Sequence, residues 1–209
     1  MDVTYTTPSG IEAESMRLIG AELVRLGLAL EPGTETVVKR VIHTTADFDY
    51  AGNLRFTEGA VDRAVEALRG GASIVTDTNM AKAGVSKTAL TKLGGQVHCF
   101  MAEEEVAAAA KAQGTTRAAA CMEKAAREYP GAVLAVGNAP TALLKLCQLL
   151  EAGLRPALVV GVPVGFVNVV ESKEQIMTAG VPYIVARGRK GGSNVAAAIC
   201  NALLYQIMR

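Results

Sequence analysis

The chain reads as an α/β domain: a mainly parallel sheet of about five strands with helices on both faces, in a three-layer α/β/α arrangement. Two observations predict it. Five short apolar runs, at 72–77, 96–101, 132–136, 157–161 and 182–186, alternate with stretches whose apolar residues recur at helical spacing. That alternation is the pattern of parallel strands joined by crossover helices. The composition agrees: half of the residues are apolar, while aromatics make up only 4% and Trp is absent. Small and aliphatic side chains of this kind suit buried strands and Ala-rich helices. A mixed sheet with an antiparallel edge strand is the alternative.

Taken in order, the first helix starts at Thr7-Pro8, with Pro at the first helical position. Ile11, Ser15, Leu18, Ile19 and Glu22 follow at helical spacing up to Gly27. Thr34 is a fitting cap for a second helix, in which Val37, Val38, Val41 and Ile42 form an apolar stripe. Arg40 and His43 are three residues apart and therefore neighbours on its surface. His43 falls in the last turn, before Asp47. Helix 58–69 precedes the run 72–77, and helix 87–93 precedes 96–101. Helices 103–113 and 117–128 precede 132–136; the alanines at 107–110 are strong helix formers. Helix 141–152 leads to 157–161, helix 169–178 to 182–186, and helix 193–208 ends the chain. No fixed-period repeat, low-complexity linker or boundary interrupts residues 1–209, so a single domain is expected.

Charge and cysteine usage narrow the partners. With 21 Lys and Arg against 20 Asp and Glu, the net charge is +1, and no global basic field draws nucleic acid. The most apolar stretch, 157–170, is broken by Gly161, Pro163, Gly165 and Asn168 and is too short to span a bilayer. Met1-Asp2-Val3-Thr4-Tyr5 is polar and acidic, unlike a signal peptide, so a cytoplasmic location is expected. Cys99, Cys121, Cys147 and Cys200 form no close pair and no metal-type spacing; reduced, mostly buried thiols follow. His98 and Cys99 are adjacent in a strand run and point to opposite faces, a poor basis for a shared metal.

Ligands of open parallel sheets bind beyond the carboxyl ends of the strands. Three such ends carry Gly-rich turns into helices: 137–143, 161–168 and 187–193. Helix N-termini there offer free N–H groups to anions. None matches Gly-x-x-x-x-Gly-Lys-Ser/Thr or Gly-x-Gly-x-x-Gly, which disfavours mononucleotides and dinucleotides. The nearby cations, Arg40, Arg117, Lys173, Arg187, Arg189 and Lys190, are dispersed. That suits a ligand with several carboxylates around its edge, although any one of them taken alone reads more readily as a solvated surface charge, and Glu171 and Glu174 could neutralise some. Asn138 and Thr141 read as ligand contacts or as caps of the following helix. Asp47 and Asp77 read as orienting groups or as turn caps. His43 can exchange a proton near neutral pH.

Together these segments resemble the precorrin-8 methylmutase family of cobalamin biosynthesis. The likeness runs through Ile11-Glu12-Ala13-Glu14-Ser15, Arg40-Val41-Ile42-His43-Thr44-Thr45-Ala46-Asp47-Phe48-Asp49 and Thr76-Asp77-Thr78-Asn79-Met80. It continues through Thr116-Arg117, 137–143, 161–173 and 188–194. The resemblance implies a flavodoxin-like fold and a homodimer with its site near the subunit interface. It implies a corrinoid precursor bearing seven carboxylates, in which a methyl group moves from carbon 11 to carbon 12 of ring C, with no redox change or external methyl donor. The family's proton donor and acceptor maps onto His43, and its substrate-associated Ser and Arg map onto Ser15 and Arg40. No protein cofactor is implied; cobalt, where present, is chelated by the substrate. The stretch 44–50 is more similar to the anaerobic, cobalt-using branch. The metal-free substrate, a non-catalytic corrinoid carrier and a flavin or nucleotide protein are the rival expectations.

Overall fold

The computed structural model describes residues 7–208; the segment 1–5 compared above with signal peptides lies outside them. Helix α1 (Pro8–Arg25) starts where expected. Thr7 caps it, its side chain accepting the Gly10 N–H at 3.3 Å, and Pro8 takes the first helical position. The helix closes at Gly27, φ 67°, with the Leu28 N–H donating to the Leu23 carbonyl at 2.9 Å. Helix α2 (Glu35–Thr45) buries Val37, Val38, Val41 and Ile42. A short α3 (Tyr50–Asn53) leads to β1 (Leu54–Phe56), followed by α4 (Ala60–Arg69) and β2 (Ile74–Thr76). Then come α5 (Asn79–Gly84), α6 (Lys87–Lys92), β3 (Val97–His98), α7 (Glu104–Ala112) and α8 (Arg117–Glu128). The chain ends with β4 (Val133–Val136), α9 (Pro140–Glu151), β5 (Leu158–Gly161), α10 (Val169–Thr178), β6 (Tyr183–Ala186) and α11 (Ser193–Met208).

The six strands lie in the order β1-β6-β5-β4-β2-β3. All neighbours are parallel except β1, which pairs antiparallel with β6 in the register Leu54↔Ala186, Arg55↔Val185, Phe56↔Ile184. The sheet is thus mixed, with the five expected parallel strands and an antiparallel edge. Three residues centred on an Arg show no periodicity that a sequence could reveal; β1 is a strand because β6 offers it an edge. Without β1, the order is 2-1-3-4-5, that of flavodoxin-like sheets.

Alternation along the strands sorts side chains into two cores. Ile74, Val133, Ala135, Leu158, Val160, Ile184 and Ala186 face the layer holding α2, α4 and α11. Val75, Leu134, Val136, Val159 and Val185 face α7, α8, α9 and α10. Both faces are covered, which is why the strands read as continuous apolar runs. All four cysteines are buried and unpaired. Among the described residues, no helix is long and apolar enough to cross a membrane.

Candidate active site

The loops leaving the carboxyl ends of β4, β5 and β6 form one packed edge. The Gly192 N–H donates to the Val162 carbonyl at 2.8 Å, and Gly165 N–H to the Arg189 carbonyl at 3.3 Å. Side chains are excluded where the loops meet. A Cβ on Gly191 would run into the Val162 carbonyl oxygen, and one on Gly137 would stand 2.7 Å from Ser193 Cα.

Helix α2 brings His43 to this edge. The imidazole is exposed in the last helical turn, and the helix stops at Ala46 in the left-handed conformation, φ 53° and ψ 27°. Beyond it, Lys190 Nζ donates to Asp47 Oδ2 and Asp49 Oδ2, both at 2.6 Å. Lys190 therefore holds its proton more tightly than an ordinary lysine, chiefly through the bonds to Asp47 and then Asp49. The bond to Lys190 likewise holds Asp47 below the usual carboxylate value.

Arg40 lies one turn before His43. Its Nη2 donates to Glu12 Oε1 at 2.5 Å, and its guanidinium stands 5.2 Å from the Tyr205 ring centroid on α11. The buried Nε has no acceptor among the described residues. Ser15, on α1, donates its hydroxyl to the Ile11 carbonyl at 2.8 Å. Arg187 pairs with Glu174 at 2.9 Å, and Arg189 lies 5.5 Å from the centroid of Phe166, an exposed aromatic on the β5–α10 loop.

Lys173 goes inward. It is completely buried, donating from Nζ to the Gly188 carbonyl at 2.7 Å and the Lys190 carbonyl at 2.9 Å. Burial lowers it to about 8. In this arrangement it holds the β6–α11 loop, a placement that helical spacing alone could not reveal.

The switch point of the sheet lies between β2 and β4. Where such folds often hold an anionic ligand, this chain places its own carboxylate. Asp77 is 1% exposed. It accepts N–H groups from Gly137, Asn138 and Ala139, each at 2.8 Å. Burial raises its pKa against the pull of those bonds. Asn138 and Thr141 are thereby set at the start of α9. Thr141 Oγ1 lies 2.9 Å from Thr116 Oγ1, which brings the exposed Arg117 at the start of α8 to the same edge.

The expected residues thus gather on one edge: His43, Arg187, Arg189 and Lys190 around the β6–α11 loop, and Arg117, Asn138 and Thr141 around α9. Ser15 and Arg40 lie on the α1–α2 pair. Sequence reasoning left Asp47 and Asp77 between two roles and overlooked Phe166. The signal for Asp77 was an Asp directly after a buried strand. Among the described residues, no cluster of three or more His, Cys, Asp or Glu side chains is arranged to hold a metal ion.

A cobalt-precorrin-8 methylmutase of Salmonella typhimurium is 44% identical over 205 residues, covering 96% of each chain. A precorrin-8X methylmutase of Pseudomonas aeruginosa is 41% identical, covering 92% of this chain and 93% of its own. The crystal structure of a precorrin-8x methyl mutase from Thermus thermophilus superposes with a TM-score of 0.86 at 42% identity, covering 95% of this chain and 97% of that one. The family model described as precorrin-8X methylmutase matches residues 10–206. The chain therefore belongs to the precorrin-8X methylmutase family and is a methylmutase, an isomerase of cobalamin biosynthesis.

Proposed function

We propose that the chain converts cobalt-precorrin-8 into cobyrinate by moving a methyl group from carbon 11 to carbon 12 of ring C, with His43 as proton donor and acceptor. The observation that carries this reading is the exposed imidazole at the end of α2, on an edge rich in Arg, with no phosphate motif and with Asp77 filling the switch point. A second phosphate-like charge there would meet that carboxylate. A substrate with carboxylates around an apolar ring meets spread cations instead. Arg40, Arg117, Arg187 and Arg189 are assigned to those carboxylates, and Ser15, Asn138 and Thr141 to polar contacts. Lys173 and Lys190 are already engaged with internal partners; Arg40 and Arg187 also carry ion pairs, to Glu12 and Glu174, but a guanidinium has five N–H donors and can serve a second carboxylate.

The chemistry balances within the substrate. The bond from the methyl group to carbon 11 breaks as that to carbon 12 forms, and no atom is gained or lost. Protonation of the neighbouring pyrroline nitrogen by His43 draws electron density along the migration path, and the proton returns when the shift is complete. A positioned acid contributes roughly 10²–10⁴-fold, and holding a multiply charged macrocycle in one orientation adds to it.

Cobalt, if present, arrives inside the substrate. The Salmonella relative supports the cobalt form; the Pseudomonas relative keeps the metal-free form, giving hydrogenobyrinate, as the second reading. The active unit is a homodimer, supported by Ile11 and Leu18, 50% and 54% exposed on the face of α1 that carries Ser15.

An absorbance time course with each metal form, in wild type and His43→Ala, tests the reading. A spectral change at constant product mass in wild type, lost in a variant that still binds, is the expected result. Binding without spectral change in either protein, with both metal forms, would make the chain a carrier. Turnover of the metal-free form alone would reverse the choice of substrate.

A further inference from the structure

We propose that Asp47, Asp49 and Lys190 are positioning residues for His43, a charge lock that fixes the turn ending α2 against the β6–α11 loop. This rests on the reading of His43 as the proton donor.

The turn needs holding. Ala46 is one of only two described non-glycine residues with positive φ, a conformation that is sterically unfavourable for an L-residue and persists only where its surroundings determine it. Local bonds supply part of the restraint. The Ala46 N–H donates to the Ile42 carbonyl at 2.7 Å, the Asp47 N–H to Thr45 Oγ1 at 3.3 Å, and the Asp49 N–H to Asp47 Oδ1 at 3.0 Å. These bonds lie within the turn and do not say where it sits on the protein. Lys190 does, since it reaches two carboxylates of the turn from a loop more than 140 residues away.

The other end of the lock is rigid. The buried Lys173 ammonium holds the carbonyls of Gly188 and Lys190 from beneath. The neighbouring Arg189 carbonyl accepts the Gly165 N–H, and Gly191 leaves no room between its loop and the Val162 carbonyl. A continuous path therefore runs from Lys173 through the backbone and side chain of Lys190 to Asp47, and three residues back from Ala46 stands His43. Energetically the lock is weak. Its side chains are 30%, 45% and 67% exposed, and ion pairs this open to water contribute little to stability. What it supplies is direction for an otherwise exposed imidazole.

The test is a double-mutant cycle on Lys190→Gln and Asp47→Asn, with His43→Ala in the same assay and thermal melts of every variant. We expect each single variant to lose about 10- to 100-fold in kcat, with KM and melting temperature nearly unchanged. The double variant should be no worse than the poorer single one, because both changes break one unit. A rise in KM with kcat kept in Lys190→Gln, and no effect in Asp47→Asn, would make Lys190 a substrate contact and overturn the lock. Additive losses, or losses that track melting temperature, would overturn it as well. If His43→Ala is inactive while both lock variants keep full kcat, only the lock falls. If His43→Ala turns over normally, the reading of His43 falls and takes the lock with it.

A readout independent of turnover uses the fact that the chain has only two histidines. With imidazole-labelled protein, the His43 ring resonance, identified by its loss in His43→Ala, should broaden or split in Lys190→Gln. An unchanged His43 signal would count against positioning.

Discussion

Burial moves the Lys173 ammonium from an ordinary 10.5 down to about 8, and this makes one residue visible in the pH dependence of folding. Below about pH 8 the group is charged in both the folded and unfolded states, and the full cost of burying the charge is present. Between about 8 and 10.5 the folded chain binds fewer protons than the unfolded one, so stability attributable to this residue rises with pH. The rise is on the order of 3 kcal/mol across the window. A neutral amine still has two N–H groups for the Gly188 and Lys190 carbonyls, so the loop keeps its support. Urea unfolding of wild type and Lys173→Met at pH 8 and pH 10 checks this: the wild type should gain on the variant as pH rises. Parallel pH profiles would mean that water reaches the ammonium.

Among elements, the start of α9 depends on a residue from another strand. Asp77, just past β2, is the acceptor for three successive N–H groups of the turn that leads into the helix, Gly137, Asn138 and the capping Ala139. Asp77→Ala should cost about 2–4 kcal/mol in urea unfolding, because donors are left beside a buried gap. Asp77→Asn should cost less, since one oxygen still accepts. A loss in Asp77→Ala no larger than an ordinary surface change would show that solvent replaces the carboxylate. Because the same bonds orient Asn138 and Thr141, Asp77→Asn should also weaken substrate binding more than it slows the bound substrate.

For the whole molecule, the sheet separates two cores and leaves its carboxyl edge open to loops from both layers. Helix α1 lies outside this arrangement on α2, with Ile11 and Leu18 turned to solvent. Packing of that face in a homodimer would cover it and bring a second chain beside Ser15 and Arg40. Leu18→Arg should then shift sedimentation from dimer toward monomer and lower activity, while the isolated fold melts nearly as before. A chain that sediments as a monomer before any substitution would remove the dimer from the reading.

The alternation of apolar runs and helical stretches was enough to determine the five parallel strands and the layers around them, because strands buried on both faces must be apolar along their length. Thr7-Pro8 marked the start of α1, and the short segment around His43 pointed to the chemistry. The likeness of many ordered pieces indicated the family. Other features have no local signal. The edge strand β1 exists because β6 has an unpaired side, and the order 2-1-3-4-5 comes from crossovers that no segment encodes alone. Six cations looked alike in sequence, since charge at a position says nothing of what stands opposite it. Tertiary packing separated them: Lys173 was drawn into the core beneath a loop, Lys190 was set between two aspartates, and Arg40 was paired with Glu12 on α1. Local sequence controls backbone preference and periodicity; burial and pairing depend on which distant residues the fold brings within a few ångströms.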